Sequence, residues 1–169
     1  MRRLALVAVT LLACVSGAPA ADAETVDQPQ DVGNEVFPGH DLVNVRYTNR
    51  TGSLSVVART GRLHTSDQLG VDLVARGSRD FDFFVSVKFS HGEPVAVVYP
   101  WTPTGLDFGH PTCTARARYD MRRDAIRVRA QDPCFPGADL SSVRLSTDLG
   151  VRGKNNASDL TASVRVRRD

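Results

Sequence analysis

The sequence has little that would serve as a membrane span, a metal site or a familiar catalytic centre. After the apolar run of residues 4–13, about half the ~20 residues needed to cross a bilayer, no segment is comparably hydrophobic. This argues against an integral membrane protein. The four histidines lack His or Cys partners at metal-binding spacings, and no G-x-S-x-G, Walker or G-x-G-x-x-G motif occurs. We therefore predict neither a metal nor a cofactor, and no reaction follows from a motif.

The sequence also lacks a large excess of positive or negative charge. The formal net charge of the whole chain is +2. The one aromatic residue among the arginines of residues 113–134 is Tyr119, which the alternation places on the buried face, so no ring is available there for base stacking. We therefore expect no nucleic-acid partner. The charge is uneven: residues 24–112 contain seven basic and eleven acidic side chains, whereas residues 113–169 contain twelve and seven. Such asymmetry can mark a binding half, or acidic and basic strands can face each other in the fold.

The N-terminus has the composition of a secretory signal peptide. Arg2 and Arg3 precede the apolar run, and small residues follow it up to Ala23. We predict that residues 1–23 are removed on export, with cleavage between Ala20 and Ala23, and that the mature protein is secreted. In the alternative, Cys14 is acylated and anchors the chain as a lipoprotein.

The rest of the chain is dominated by an alternation of apolar and polar residues. Residues 24–40 are polar and contain proline and glycine, which predicts a flexible N-terminal lead-in. Beyond them, about nine short alternating segments are separated by turn residues, the clearest at residues 81–89. We predict that residues 41–169 form a single all-β domain, an antiparallel β-sandwich of jelly-roll type. A closed β-barrel is the alternative.

Two cysteines remain after removal of the signal peptide, Cys113 and Cys134. An even number of thiols in an exported protein predicts a disulfide. The cysteines bracket two alternating segments, which indicates a β-hairpin turning near residues 123–124. If the cysteines lie directly opposite each other, Arg118 faces Arg129 across the two strands.

This arginine-rich hairpin has two interpretations. Directly opposed arginines are unfavourable unless an anion or a carboxylate lies between them, so Arg118 and Arg129 are candidate anion-binding residues. Alternatively, carboxylates elsewhere in the chain supply the counter-charge and the arginines form an ordinary solvated face. We favour the solvated face.

A wider stretch of the chain resembles a known group of proteins. The segments "HDLVNVRYTNRTGSLSVVART", "YDMRRDAIRVRAQDPC" and "FPGADLSSVRL" are similar to those of small exported β-sandwich proteins from high-GC Gram-positive bacteria. In these proteins two cysteines bracket a hairpin. The resemblance covers about residues 40–150 and implies the fold and export, but no particular chemistry.

The strongest candidate for ligand binding is the connection at residues 99–112. It contains the only tryptophan, Trp101, together with Tyr99, Phe108 and the carboxylate of Asp107. Long loops inside compact domains are often functional, and aromatic rings beside a carboxylate suit sugar rings. Cell-envelope or environmental glycans are therefore the candidate partners. The alternative, which we favour, is that Trp101 is a buried plug at one end of the sandwich.

Three classes of function follow, of which we favour the first. The protein is a structural or interaction module without catalysis, a glycan-binding module that uses residues 99–112, or a hydrolase that uses Asp80, Asp82 or Asp107. Asp80 and Asp82 lie two residues apart and would share one face of a strand, where paired carboxylates can act as acid and base.

Overall fold

The structure is a computed structural model that describes residues 24–29, 40–153 and 158–169. The predicted signal peptide, the alternative anchor at Cys14 and residues 30–39 of the predicted lead-in lie outside the described residues. In the part of the chain that the structure describes, no helix is long and apolar enough to span a membrane.

The described residues form an all-β, antiparallel fold, as predicted. Its strands are β1 (Glu24–Pro29), β2 (Leu42–Arg50), β3 (Ser53–Thr60), β4 (Asp67–Val74), β5 (Phe83–Ser90), β6 (Glu93–Thr102), β7 (Gly105–Leu106), β8 (Cys113–Asp120), β9 (Ala125–Gln131), β10 (Ser142–Val151), β11 (Ser158–Leu160) and β12 (Val164–Arg167). A short 3-10 turn, Asp132–Cys134, follows β9.

The strands form one curled sheet in the order β1-β2-β3-β9-β8-β6-β5-β4-β10-β11. β12 also pairs with β10, and the short β7 pairs with β6. The sheet bends at β8, whose first residues pair with β6 while its later residues pair with β9. Because β8 belongs to both halves, the sheet is a continuous half-barrel. The layered jelly-roll sandwich stays a prediction.

Alternating side chains determine which surface of each strand faces inward. In β5, Phe83, Val85 and Val87 are buried, whereas Phe84 and Lys88 point outward. Comparable apolar positions on the neighbouring strands complete one core. Its buried members include Val45, Val56, Val71, Leu73, Val98, Ile126, Val128 and Leu145.

The two ends of the curled sheet meet through side chains. The buried Tyr47 of β2 donates its phenolic hydrogen to Thr147 Oγ1 of β10 at 2.7 Å, and its oxygen lies 3.2 Å from Thr161 Oγ1. The backbone N–H of Leu42 donates to the Asp159 carboxylate at 2.7 Å. These buried hydrogen bonds hold the open edge of the half-barrel together.

The N-terminal strand differs from the sequence expectation. Glu24–Pro29 lies in the segment predicted to be a flexible lead-in, yet it pairs along its whole length with β2. Asp27 and Arg46 form a two-bond ion pair across these strands, with distances of 2.7 and 2.9 Å. Cross-strand pairs of opposite charge favour this register.

Cys113 and Cys134 form the predicted disulfide. The predicted hairpin register is shifted by two residues, because Cys134 lies in the 3-10 turn beyond the end of β9 and is not a strand partner of Cys113. Arg118 therefore faces Arg127, and Arg129 faces Arg116. A shift of two residues leaves every side chain on its predicted face.

Candidate functional site

Two outer surfaces of the sheet carry the chemically interesting side chains. The first, here called the aromatic face, is the outer surface of β4, β5, β6 and β10 with the adjoining loops. Its aromatic members are Phe81, Phe84, Tyr99, Trp101 and Phe108, and its acidic members are Asp72 and Asp148.

The second surface, here called the arginine face, is the outer surface of β2, β3, β8 and β9. Six arginines lie around its centre, Arg46, Arg59, Arg116, Arg118, Arg127 and Arg129, and Arg50 lies on the same surface at the end of β2.

Strand pairing brings the members of the aromatic face together. Tyr99 of β6 lies opposite Phe84 of β5, and Phe84 lies opposite Asp72 of β4. All three point away from the core, because their neighbours in each strand are the buried residues. The sheet thus places one carboxylate and two aromatic rings in a single row across three strands.

Trp101 lies on this outer surface, near the end of β6, and is half-buried. Its backbone N–H donates to the carbonyl of Asp82 at 2.9 Å, and its ring packs beside Phe81 with a centroid distance of 5.8 Å. Phe81 is 46% exposed. The indole is therefore neither a fully exposed platform nor a plug buried in the core, but one partner of an aromatic pair whose outer ring faces solvent.

The indole N–H of Trp101 faces Asp72. Trp101 Nε1 and Asp72 Oδ1 are both buried, and neither makes a hydrogen bond of normal geometry within the described residues. Burial raises the pKa of Asp72, while the nearby indole N–H acts to lower it. Buried polar atoms without a good partner are uncommon, and they often mark functional positions.

A second carboxylate, Asp148 of β10, lies beside Asp72. Asp148 is opposite Gly70, the residue two positions before Asp72 in β4. A Cβ atom at Gly70 would clash with Asp148 Oδ1 and with the Phe84 ring, so the missing side chain makes room for this carboxylate. Burial and the neighbouring Asp72 charge raise the pKa of Asp148 to about 6.

The loop at residues 103–112 supplies the remaining aromatic ring. Phe108 is 64% exposed, and its ring meets Tyr99 edge-on at 5.2 Å. Asp107 accepts hydrogen bonds from the backbone of Gly109 and His110, and its Oδ2 lies 2.9 Å from His110 Nδ1. The His110 ring, followed by these backbone donors, lowers the pKa of Asp107. Asp107 thus shapes the loop, whereas Phe108 extends the aromatic face.

Asp80 and Asp82 lie before β5, not within a strand, because β5 begins at Phe83. The Asp82 carboxylate accepts hydrogen bonds from the Ala75 N–H at 2.7 Å and from the Ser78 hydroxyl at 2.9 Å. These contacts give Asp82 a structural role in its loop. Asp80 is exposed and borders a cleft.

This cleft has a volume of about 290 Å³ and lies between the Phe81 loop and β10. Its walls are Val74, Arg79, Asp80, Phe81, Arg144, Ser146 and Ser163. Ser146 is directly opposite Asp72, so the cleft adjoins the aromatic face. An apolar ring and several hydrogen-bonding groups therefore converge on one small cavity.

Sequence reasoning identified Tyr99, Trp101 and Phe108 of this surface but missed Phe81, Phe84, Asp72 and Asp148. Asp72 and Asp148 are single polar residues at outward strand positions, which in sequence are indistinguishable from ordinary solvated residues. No three His, Cys, Asp or Glu side chains among the described residues are placed to hold a metal ion.

The arginine face contains both candidate anion-binding residues. Arg118 and Arg129 are exposed on adjacent strands and are diagonal neighbours. The Arg129 Nε–H donates to the Ser53 hydroxyl at 3.2 Å. The Asp120–Arg127 pair on the same surface is loose, at 3.9 Å.

No protein-family model matches this chain, and no curated protein sequence matches it either. The functional assignment therefore depends on the geometry of these two surfaces.

Proposed function

We propose that the protein is an exported interaction module without catalysis, built on a jelly-roll-type sandwich, that binds a glycan through its aromatic face. The observation that supports this proposal is the joint placement of the Phe81–Trp101 and Tyr99–Phe108 ring pairs and two carboxylates on one outer surface. In the sequence these groups lie in four separate segments.

The chemistry of a sugar ring suits this surface. Its C–H faces pack against aromatic rings, and its hydroxyls donate to carboxylates and accept from N–H groups. Phe81 is an exposed ring at the mouth of the cleft, and Ser146 and Ser163 provide hydroxyls inside it. At about 290 Å³ the cleft accommodates one ring, with the rest of a chain lying across the aromatic face.

Export is supported by the basic and apolar N-terminal sequence and by the disulfide, a bond that persists in oxidising compartments. Mass measurement of the mature N-terminus tests it. A chain that starts between Ala21 and Glu24 supports secretion, an acylated Cys14 supports the lipoprotein alternative, and an intact Met1 in exported protein contradicts both.

Two partly buried carboxylates on neighbouring strands, both with raised pKa values, also make a hydrolase the second candidate. Asp148 has a pKa raised to about 6, which is the behaviour of a general acid, while Asp72 lies on the neighbouring strand. In this version the catalytic carboxylates are those of Asp72 and Asp148. They are not those of Asp80, Asp82 and Asp107, the residues suggested by the sequence. Release of reducing ends from a soluble glycan, lost in Asp148→Asn but kept in the exposed-site control Glu93→Gln, would support it. Absence of release on prolonged incubation with a glycan that binds would exclude it for that glycan.

The binding proposal predicts a specific effect of Phe81→Ala. Chitin, cellulose and xylan oligosaccharides are titrated while the emission of Trp101, the single tryptophan, is followed. We expect one class to change the emission, because a bound ring contacts the Phe81–Trp101 pair. Phe81→Ala should weaken that binding about tenfold, since it removes the exposed ring.

Met121→Ala is the matched control. Met121 is 43% exposed, close to the 46% of Phe81, but it lies at the tip of the hairpin between β8 and β9. Its substitution should leave glycan binding unchanged. Equal losses in the two variants, or unchanged emission with all three classes at millimolar concentration, would count against glycan binding at this surface.

A further inference from the structure

We propose that the arginine face is a second binding surface, whose partner is a linear acidic polysaccharide bearing carboxylates. This site is distinct from the aromatic face and independent of the glycan proposed to bind there. Around its two grooves lie six arginines and two aspartates, Asp27 on the adjoining β1 and Asp120 on β8, so the local net charge there is 6 − 2 = +4.

The charge on this face is incompletely balanced. Asp27 is already held by Arg46 through two short bonds, and Asp120 is 3.9 Å from Arg127. Among the described residues, none of Arg59, Arg116, Arg118 and Arg129 forms a close ion pair, and the Arg59 charge acts on Asp27 only from a longer distance. At least four guanidinium groups therefore present unused donors to solvent.

Strand register places arginines directly against one another. Arg116 lies opposite Arg129, and Arg118 lies opposite Arg127. Like charges in directly opposed positions destabilise a sheet, and a local arrangement that opposes stability often serves a function. An anion bound between the two strands would remove this repulsion.

The shape of the surface suits an extended chain. One groove of about 390 Å³ lies between Arg46, Arg59 and Arg127, and a second of about 240 Å³ lies among the arginines of β8 and β9. The grooves meet at Val57 and Arg127, so together they form a trough across four strands. Measured across the four strands, which are three strand spacings apart, this trough is roughly 14 Å long.

The side chains on this face favour a polysaccharide over other polyanions. None of the residues lining the two grooves is aromatic, so the surface has no stacking platform for nucleic-acid bases. Among the described residues of this surface, Val43 is the one strongly exposed apolar side chain, which provides little for insertion into a membrane or for the apolar centre of a protein interface. Guanidinium groups match carboxylates in paired hydrogen bonds.

The test uses polygalacturonate as the probe and compares two triple variants of equal charge change. Arg116→Gln/Arg118→Gln/Arg129→Gln alters the arginine face, whereas Arg62→Gln/Arg152→Gln/Arg165→Gln removes three exposed arginines elsewhere. We expect the first variant to bind at least tenfold more weakly at about 50 mM salt and the control less than threefold more weakly. The dependence of log K on log salt should become shallower by about two to three in the first variant.

The melting temperature provides a second readout. The first variant should melt at or above the wild-type temperature, because it removes both opposed arginine pairs, so lost binding would not reflect unfolding. Equal weakening in the two variants, or no binding of the probe at low salt, would overturn the proposal. Tighter binding of duplex DNA, polyglutamate or phosphatidylglycerol vesicles would assign the face to another class of partner and would overturn it too.

Discussion

Removal of the disulfide should lower the free energy of unfolding by roughly 3 kcal/mol, because the bond closes a loop with a sequence separation of 21 and restricts the unfolded chain. Cys134 is buried, and its carbonyl accepts a hydrogen bond from the Thr112 hydroxyl at 2.7 Å. The bond therefore connects the start of β8 to the turn that ends β9.

The comparison is between urea unfolding of the oxidised wild type and of Cys113→Ala/Cys134→Ala. Alanine is used at both positions because serine would bury a hydroxyl without a hydrogen-bond partner. Wild-type protein treated with dithiothreitol is the control, and it should unfold near the midpoint of the double variant. A midpoint that reduction does not move would show that the disulfide contributes no stability.

Substitution of Asp148 by asparagine should stabilise the protein at neutral pH and not in acid. The carboxyl has its ordinary pKa of 3.8 in the unfolded chain and a pKa of about 6 in the folded protein. Between these values the folded state binds more protons, so stability falls as the pH rises from about 4 to about 6 and stays lower above that. Asparagine cannot ionise. The gain at pH 7.5 should approach about 3 kcal/mol as an upper bound.

Unfolding midpoints at pH 3.5 and pH 7.5 measure this difference. Glu93→Gln, which removes an exposed carboxylate from the first residue of β6, should change neither midpoint appreciably. An Asp148→Asn variant that is equally stabilised at both pH values, or destabilised at pH 7.5, would contradict the proposed burial of this carboxylate. The variant also removes the negative charge beside Asp72, and this loss of repulsion adds to the stabilisation at pH 7.5.

Some of the side chains on these two surfaces could be identified from the sequence, and others could not. Trp101, Tyr99 and Phe108 were identifiable because aromatic residues are few and these three lie close together in the chain. Gly70, Asp72 and Asp148 were not, since each matters only through neighbours on other strands. The arginines of β8 and β9 were evident as a cluster, but Arg46 and Arg59 join it only through the pairing of β2, β3 and β9.

The sequence by itself determined that the chain is all-β, which side chains in β5, β8 and β9 face inward, and that Cys113 pairs with Cys134. These are consequences of the two-residue period of an extended backbone and of the small number of thiols, and both can be read locally. The tertiary structure decided the strand order, the half-barrel curl and the hairpin register. Those features depend on long-range pairings, such as β3 with β9 and β4 with β10, and on the position of Cys134 beyond its strand. Alternation specifies the face of a strand but not its neighbour, so both outer surfaces emerged only when distant strands were brought together.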